Sequence, residues 1–290
     1  KQLNTIGAEP NDWDKHFKLM ADIDLSGYSY YAAPIAPDVD PCDLSFNGTS
    51  FTGVFDGNGH KISNLTITGE SYLGLFGQLE SGAEIKNLGV TDANITGSDY
   101  VGGFVGFSKG NIETSYCTGT VTGNKRIGGL TGRNRGTITA SYNAAAVTGH
   151  DDIGGIAAGN YGSIANSYNT GAITGEWDVG GLVGENYSSI ATCYTTGTVR
   201  GNNRVGGLVG YNYQDSIITS SFWDVETSGQ SISDGGGTGL TTAEMQMAGT
   251  FLDAGWDFVD ETANGTEDIW WILEGQDYPR LWWEAEQIYD

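Results

Sequence analysis

Four carboxylates stand where a sugar polymer could be cut or held: Asp151, Asp152, Glu176 and Asp178. They fall in two short stretches, HDD and EWD, and Asp152 and Asp178 share one position of a repeat. Glycosidic-bond hydrolysis uses two carboxyl groups roughly 5–9.5 Å apart, one donating a proton and the other ionised. Stacked at about one strand spacing, Asp152 and Asp178 would raise one another's pKa or hold a hard cation such as calcium, which takes oxygen ligands. Arg126 and Arg204 flank the pair, so the position reads Tyr100, Arg126, Asp152, Asp178, Arg204 along the chain. Alternating charge of this kind also describes a solvated turn. Trp177 sits in the same stretch, and Tyr161, Tyr187 and Tyr213 recur at one further position. Aromatic faces in a row suit stacking on sugar rings, with Asn and Asp bonding the hydroxyls. They equally suit ring-on-ring stacking that steadies a turn.

Other chemistry is poorly represented. HExxH, P-loop and EF-hand patterns are all missing. The recurrent Gly102-Gly103 pairs lack GxGxxG spacing and a following helix, so they read as packing or turn glycines. Cys42, Cys117 and Cys193 form neither a disulfide framework nor a zinc set. Cys117 and Cys193 are three units apart, about 14 Å by strand spacing, which exceeds disulfide reach. Either could pair with Cys42 only if the N-terminal segment folds back. His16, His60 and His150 show no ligand spacing. The catalytic expectation is therefore none, with the Asp151/Asp152/Glu176/Asp178 group as the alternative.

The elements that must position these residues are repeats. VGGFVG, IGGLTG, IGGIAA, VGGLVG and VGGLVG begin at Val101, Ile127, Ile153, Val179 and Val205, each 26 residues after the last. A degenerate copy, LGLFG, begins at Leu73. Further rows follow at the same period: Ile112, Ile138, Ile164 and Ile190; Tyr116, Tyr142, Tyr168 and Tyr194; Val121, Val147, Ile173 and Val199. Each unit thus holds three short apolar stretches between Gly, Asn, Ser and Thr. Such stretches suit strands of three to five residues and are too short for helices. One unit cannot bury its own apolar face, so units must stack into a continuous core. The expectation is an all-β solenoid, three-sided in outline. Asn134, Asn160, Asn186 and Asn212 would then stack and exchange amide hydrogen bonds from rung to rung.

Both ends depart from the period. Residues 1–72 read as an N-terminal cap and lead-in rungs, with Trp13 to Leu19 as a short amphipathic element. Residues 73–222 form the coil, and 223–290 a C-terminal capping segment. In that segment Thr241 or Thr242 would N-cap a short helix. Trp256, Trp270, Trp271, Trp282 and Trp283 would cover the last rung.

The repeated VGGLVG…N.G.I..SY.TG.V.G strongly resembles the GLUG motif of secreted bacterial surface proteins, which include adhesin-like proteins and the non-catalytic region of some IgA1-specific metallopeptidases. FTGVFDGNGHKISNLTI, residues 51–67, is similar to the segment that leads into such repeats and into pectate-lyase-like β-helices. The resemblance covers about residues 51–224. It implies a right-handed parallel β-helix in an extracellular multidomain protein and implies no activity. Pectate-lyase-like enzymes place a basic residue with clustered Asp near a groove, and Arg126 and Arg204 flank the patch without a motif tying them to it.

Composition agrees with a turn-rich β protein: 46 glycines, 5 prolines and 11% aromatic residues. Thirteen basic against 36 acidic residues leave a net charge of −23, a field that repels nucleic acid and anionic membranes. No apolar run is long enough to span a bilayer. A chain beginning at Lys1 fits a processed or excised segment. Sequons at Asn47, Asn64, Asn94, Asn186 and Asn264 matter only if the source glycosylates secreted proteins. The expected function is a non-catalytic, secreted or cell-surface module that displays a rigid β-helix for adhesion, polysaccharide binding or assembly. Its partners would be a polysaccharide, another surface protein or further copies of itself. A polysaccharide lyase or hydrolase and a filament or surface-layer subunit are the alternatives. Cofactors are expected to be none, or calcium at Asp152 and Asp178.

Overall fold

In the computed structural model, residues 2–40 and 45–284 are described. The chain winds into a β-solenoid of about seven turns, and nearly every strand pairing within it is parallel. Strands of adjacent turns align at the repeat period, so Ile138 lies beside Ile112 and Ile164. The identical apolar residues therefore stack into one core, with Ile112, Val121, Ile127, Ile138, Val147 and Ile153 all fully buried.

Each turn feeds four sheets rather than three sides. In one turn the strands are Lys125–Gly128, Thr131–Asn134, Thr137–Thr139 and Tyr142–Asn143, followed by Ala146–Thr148 on a branch of the fourth sheet. The extra side comes from backbone geometry that apolar spacing does not report. Thr114, Ala140, Asn166, Thr192 and Ser220 have φ between 44° and 55° and make one corner. Tyr100, Arg126, Asp152, Asp178 and Arg204 have φ between 49° and 57° and kink the strand before each glycine pair. Residues with a Cβ pay for the left-handed region, and stacked neighbours hold them there.

The glycine pairs let two strands fold sharply back on each other. A Cβ on Gly180 would lie 1.9 Å from the Val183 carbonyl oxygen. The second glycine makes room for a row of inward polar groups: Gly129 faces Asn143, Gly155 faces Asn169 and Gly181 faces Thr195. These groups form a ladder, with Asn143 donating to Asn169 at 2.8 Å and Asn169 to Thr195 at 3.4 Å. The expected ladder is present as well. Asn134 donates to Asn160, Asn160 to Asn186 and Asn186 to Asn212 at 2.7–2.9 Å. Asn186 is fully buried there, so its sequon is inaccessible in the folded chain.

The ends are closed by different means. At the N-terminus a helix, Gln2–Ala8, supplies the cap, and Trp13 packs beneath it, donating from Nε1 to the Ile6 carbonyl at 2.8 Å. Residues after Trp13 do not form the expected amphipathic element, because His16–Lys18 already pairs as the first strand. At the other end, Thr238–Leu240 pairs with Phe222–Asp224, and Ser233 bonds the backbone at Val209. Thr241 then N-caps Thr242–Met245 in a capping box with Glu244. Trp256, Trp270 and Trp283 cover the flank of the coil rather than its terminal rung alone, while Trp282 is exposed. Trp283 stacks on Tyr116 and Tyr142, Trp270 meets Tyr168 and Tyr194, and Trp256 meets Tyr194 and Phe222. The tyrosine row is therefore outside the coil, with Tyr168 and Tyr194 buried and Tyr116 and Tyr142 partly buried beneath the C-terminal segment.

Cys117 and Cys193 are free and fully buried, and burial pushes each thiol up to about 12. Cys42 lies outside the described residues.

Candidate functional site

The kinked strands and their fold-back partners bound an open groove of about 380 Å³. Asp152 and Asp178 lie on its floor at adjacent kinks, one in Asp151–Gly154 and the other in Trp177–Gly180. The left-handed residue is skipped by the ladder: Asp151 pairs with Trp177 and Ile153 with Val179, leaving the aspartates between them.

Glu185 completes the floor and was not singled out from the sequence. It lies on Val183–Asn186, the strand that folds back after Gly180 and Gly181. The two strands approach closely because Gly184 has no side chain: a Cβ there would lie 2.8 Å from the Asp178 carbonyl oxygen. One carboxylate oxygen from each of Asp152, Asp178 and Glu185 lies within 4.8 Å of the others. The signal for Glu185 is weak because its row reads Phe107, Arg133, Gly159, Glu185, Tyr211. Such a row has no periodic chemistry, and only the fold-back places it against the aspartates.

Basic residues close the groove on both sides. Arg204 reaches Asp178 Oδ2 at 2.5 Å and stacks 4.6 Å above the Tyr211 ring. Arg126 bonds Asp99 at 2.7 Å and stands 3.8 Å from Asp152. Burial raises the Asp178 carboxyl to about 7; Arg204 opposes the rise, and Glu185 and Asp152 add to it. Burial likewise raises Asp152 to about 6, with Glu185 adding to the rise and Arg126 opposing it. Asp178 is only 3% exposed, and its Oδ1 has no hydrogen-bond partner among the described residues.

The other two acidic candidates are engaged elsewhere. Asp151 lines the groove but is paired with Lys125 at 2.6 Å and His150 at 2.6 Å. Its pKa is lowered: burial pushes it upward, and the bonds from Lys125 and His150 outweigh that. Glu176 is exposed, pairs with His150 at 3.0 Å and does not line the groove.

Trp177 lies on the rim. It is 44% exposed and makes no ring–ring or cation–π contact among the described residues. Tyr161, Tyr187 and Tyr213 stack on one another, with centroids 4.1 and 3.7 Å apart. Arg133 covers the Tyr161 ring at 4.3 Å. The row therefore offers edges and hydroxyls more than ring faces. It joins the groove through Glu185, which accepts from the Tyr187 hydroxyl at 3.0 Å and from Tyr213 at 3.4 Å.

Comparison with known proteins agrees with this architecture. The family model described as the GLUG motif matches residues 175–200 and 201–222. Halomucin of Haloquadratum walsbyi is 37% identical over 122 residues, 41% of this chain and 1% of that protein. A protein of Evansella cellulosilytica, provisionally described as a Gly-rich membrane protein, is 36% identical over 83 residues, 28% of this chain and 9% of its own length. This chain thus spans a small fraction of either relative. A crystal structure from Bacteroides ovatus, provisionally described as an immunoglobulin A1 protease, superposes with a TM-score of 0.68. The match covers 97% of this chain and 90% of that one at 21% identity, and so establishes the fold alone. No helix among the described residues is long and apolar enough to cross a membrane. With its 26-residue turns the chain coils into a parallel β-helix, and two of those turns, residues 175–200 and 201–222, match the GLUG motif.

Proposed function

We propose that this chain is a non-catalytic, extracellular β-helix module that holds a polysaccharide along the groove at Trp177. The observation that carries this reading is the Trp177 ring, 44% exposed on the rim of a groove rich in carboxylates and guanidinium groups. An exposed indole offers a face to a sugar ring, and charged groups beside it bond the hydroxyls. The edges and hydroxyls of Tyr161, Tyr187 and Tyr213 extend the same surface across further turns. Relatives named as a halomucin and a membrane protein support a place at the cell surface. In a glycan array followed by affinity electrophoresis, Trp177→Ala is expected to weaken polysaccharide retention about tenfold or more while leaving the thermal midpoint unchanged. Retention of no polysaccharide by the wild-type chain overturns the proposal.

The adjacent carboxyls of Asp152 and Asp178, raised to about 6 and 7, favour a second reading. Groups poised near neutral pH suit proton transfer, so a polysaccharide lyase or hydrolase would use them. New reducing or unsaturated ends released by the wild type, and absent with Asp152→Asn, would replace the first reading with this one.

A further inference from the structure

We propose that Asp152, Asp178 and Glu185 form a binding site for one divalent cation of the calcium class. Three carboxylate oxygens within 4.8 Å of one another are the first observation. The second is Asp178 Oδ1, buried and without a hydrogen-bond partner among the described residues. A buried carboxylate oxygen with no donor costs free energy that a cation would recover. Arg204 does not meet that need, because it engages the other oxygen, Oδ2.

The charges around the site leave the same deficit. Fully ionised, Asp99, Asp152, Asp178 and Glu185 would contribute four negative charges against two positive ones from Arg126 and Arg204. Lys125 is paired with Asp151, and His150 lies between Asp151 and Glu176. In that state acidic groups outnumber basic ones around the site, which favours a cation.

The donor atoms are all oxygen, which selects hard cations. They come from three strands, and the groove is open to water. Calcium tolerates irregular geometry with six to eight oxygen ligands, some of them water, whereas magnesium demands a near-ideal octahedron. Tyr187 and Tyr213 hold the Glu185 carboxylate from its outer side. At the neighbouring position, Gly159 leaves space where a side chain would otherwise stand: a Cβ there would meet only the Tyr161 ring, at 3.3 Å. A cation here would tie adjacent turns together and join two faces of the coil.

Isothermal titration with calcium chloride, after chelation and dialysis, tests the site on the full chain. Terbium luminescence excited through Trp177 gives a second readout. One equivalent of calcium is expected to bind, and both Asp178→Asn and Glu185→Gln are expected to lose at least about tenfold in affinity. Glu185→Gln serves if Asp178→Asn fails to fold. Affinity unchanged in a folded variant would show that the ion merely condenses on the acidic surface, and would overturn the proposal. Absence of binding to the wild type would do the same. The polysaccharide reading stands apart, because retention at Trp177 is measured with and without chelator.

Discussion

At the residue scale, the polar rows inside the coil are as specific as the apolar ones. Asn160 accepts from the Asn134 amide, donates to Asn186 and to the Ser189 carbonyl, and accepts from the Gly162 amide. Removing that side chain strands several buried groups at once, and each costs about 1–3 kcal/mol. Asn160→Ala is therefore expected to destabilise the chain by about 3 kcal/mol in urea unfolding; a loss below about 0.5 kcal/mol would refute a structural role for the ladder. Gly155 is constrained as tightly. A Cβ there would lie 2.2 Å from the Gly181 carbonyl oxygen and 2.3 Å from Asn169 Cγ. Gly155→Ala should accordingly cost about 2 kcal/mol or more, whereas exposed Gly59, with open space around it and a φ of 79°, should lose only about 1 kcal/mol to backbone strain in Gly59→Ala.

At the element scale, the C-terminal segment behaves as a lid sealed to the flank of the coil. Its own cluster gathers Met245, Phe251, Trp256, Phe258, Trp270, Leu281 and Trp283 with Tyr168, Tyr194 and Phe222 of the coil. A chain ending at Leu240 would expose that aromatic row, so its binding of the dye ANS should rise severalfold and its thermal midpoint should fall. Unchanged ANS fluorescence would show that the row does not need cover.

Asp224 fastens this segment. It caps the helix Val225–Ser228 and accepts from the Thr242 hydroxyl at 2.7 Å and the Tyr278 hydroxyl at 2.6 Å. Burial alone would raise its pKa, but these bonds and two backbone amides outweigh it, so the pKa is lowered. A carboxyl held below its unfolded value of about 4 binds protons more readily when unfolded. Its contribution is therefore present above about pH 4 and is lost as pH falls through the lower, folded value. The stability gap between wild type and Asp224→Asn, followed by tryptophan fluorescence in urea, should narrow from pH 6 to pH 3. A gap independent of pH would remove Asp224 as the cause.

At the scale of the whole molecule, each turn touches chiefly the turns before and after it, so stability grows by addition of similar units. Excising residues 114–139 removes one turn and joins equivalent positions, and it leaves Asp152, Asp178 and Glu185 in place. The shortened chain should still unfold cooperatively, with a urea m-value lower by about a tenth. A broad, non-cooperative transition would mean that this turn is not interchangeable with its neighbours. The excess of acidic groups works against the compact coil by self-repulsion.

The amino-acid sequence by itself determined the solenoid, its 26-residue period and the Asn134-to-Asn212 row, because in-register stacking repeats each side chain's neighbours at the period of the chain. It also placed Asp152 and Asp178 side by side. It did not show the fourth sheet, which arises from non-glycine residues in the left-handed region, whose side-chain identities vary from turn to turn. Nor did it show that Trp256, Trp270 and Trp283 lie along the flank, since nothing in their spacing says which face of the coil they cover. The place of Glu185 was decided only by tertiary structure. The fold-back at Gly180 and Gly181 brings a residue seven positions after Asp178 against the two aspartates, and it turns a pair of stacked carboxylates into a three-sided oxygen cluster. Local repetition fixes what is stacked, whereas contact between different faces of one turn depends on how sharply the backbone bends.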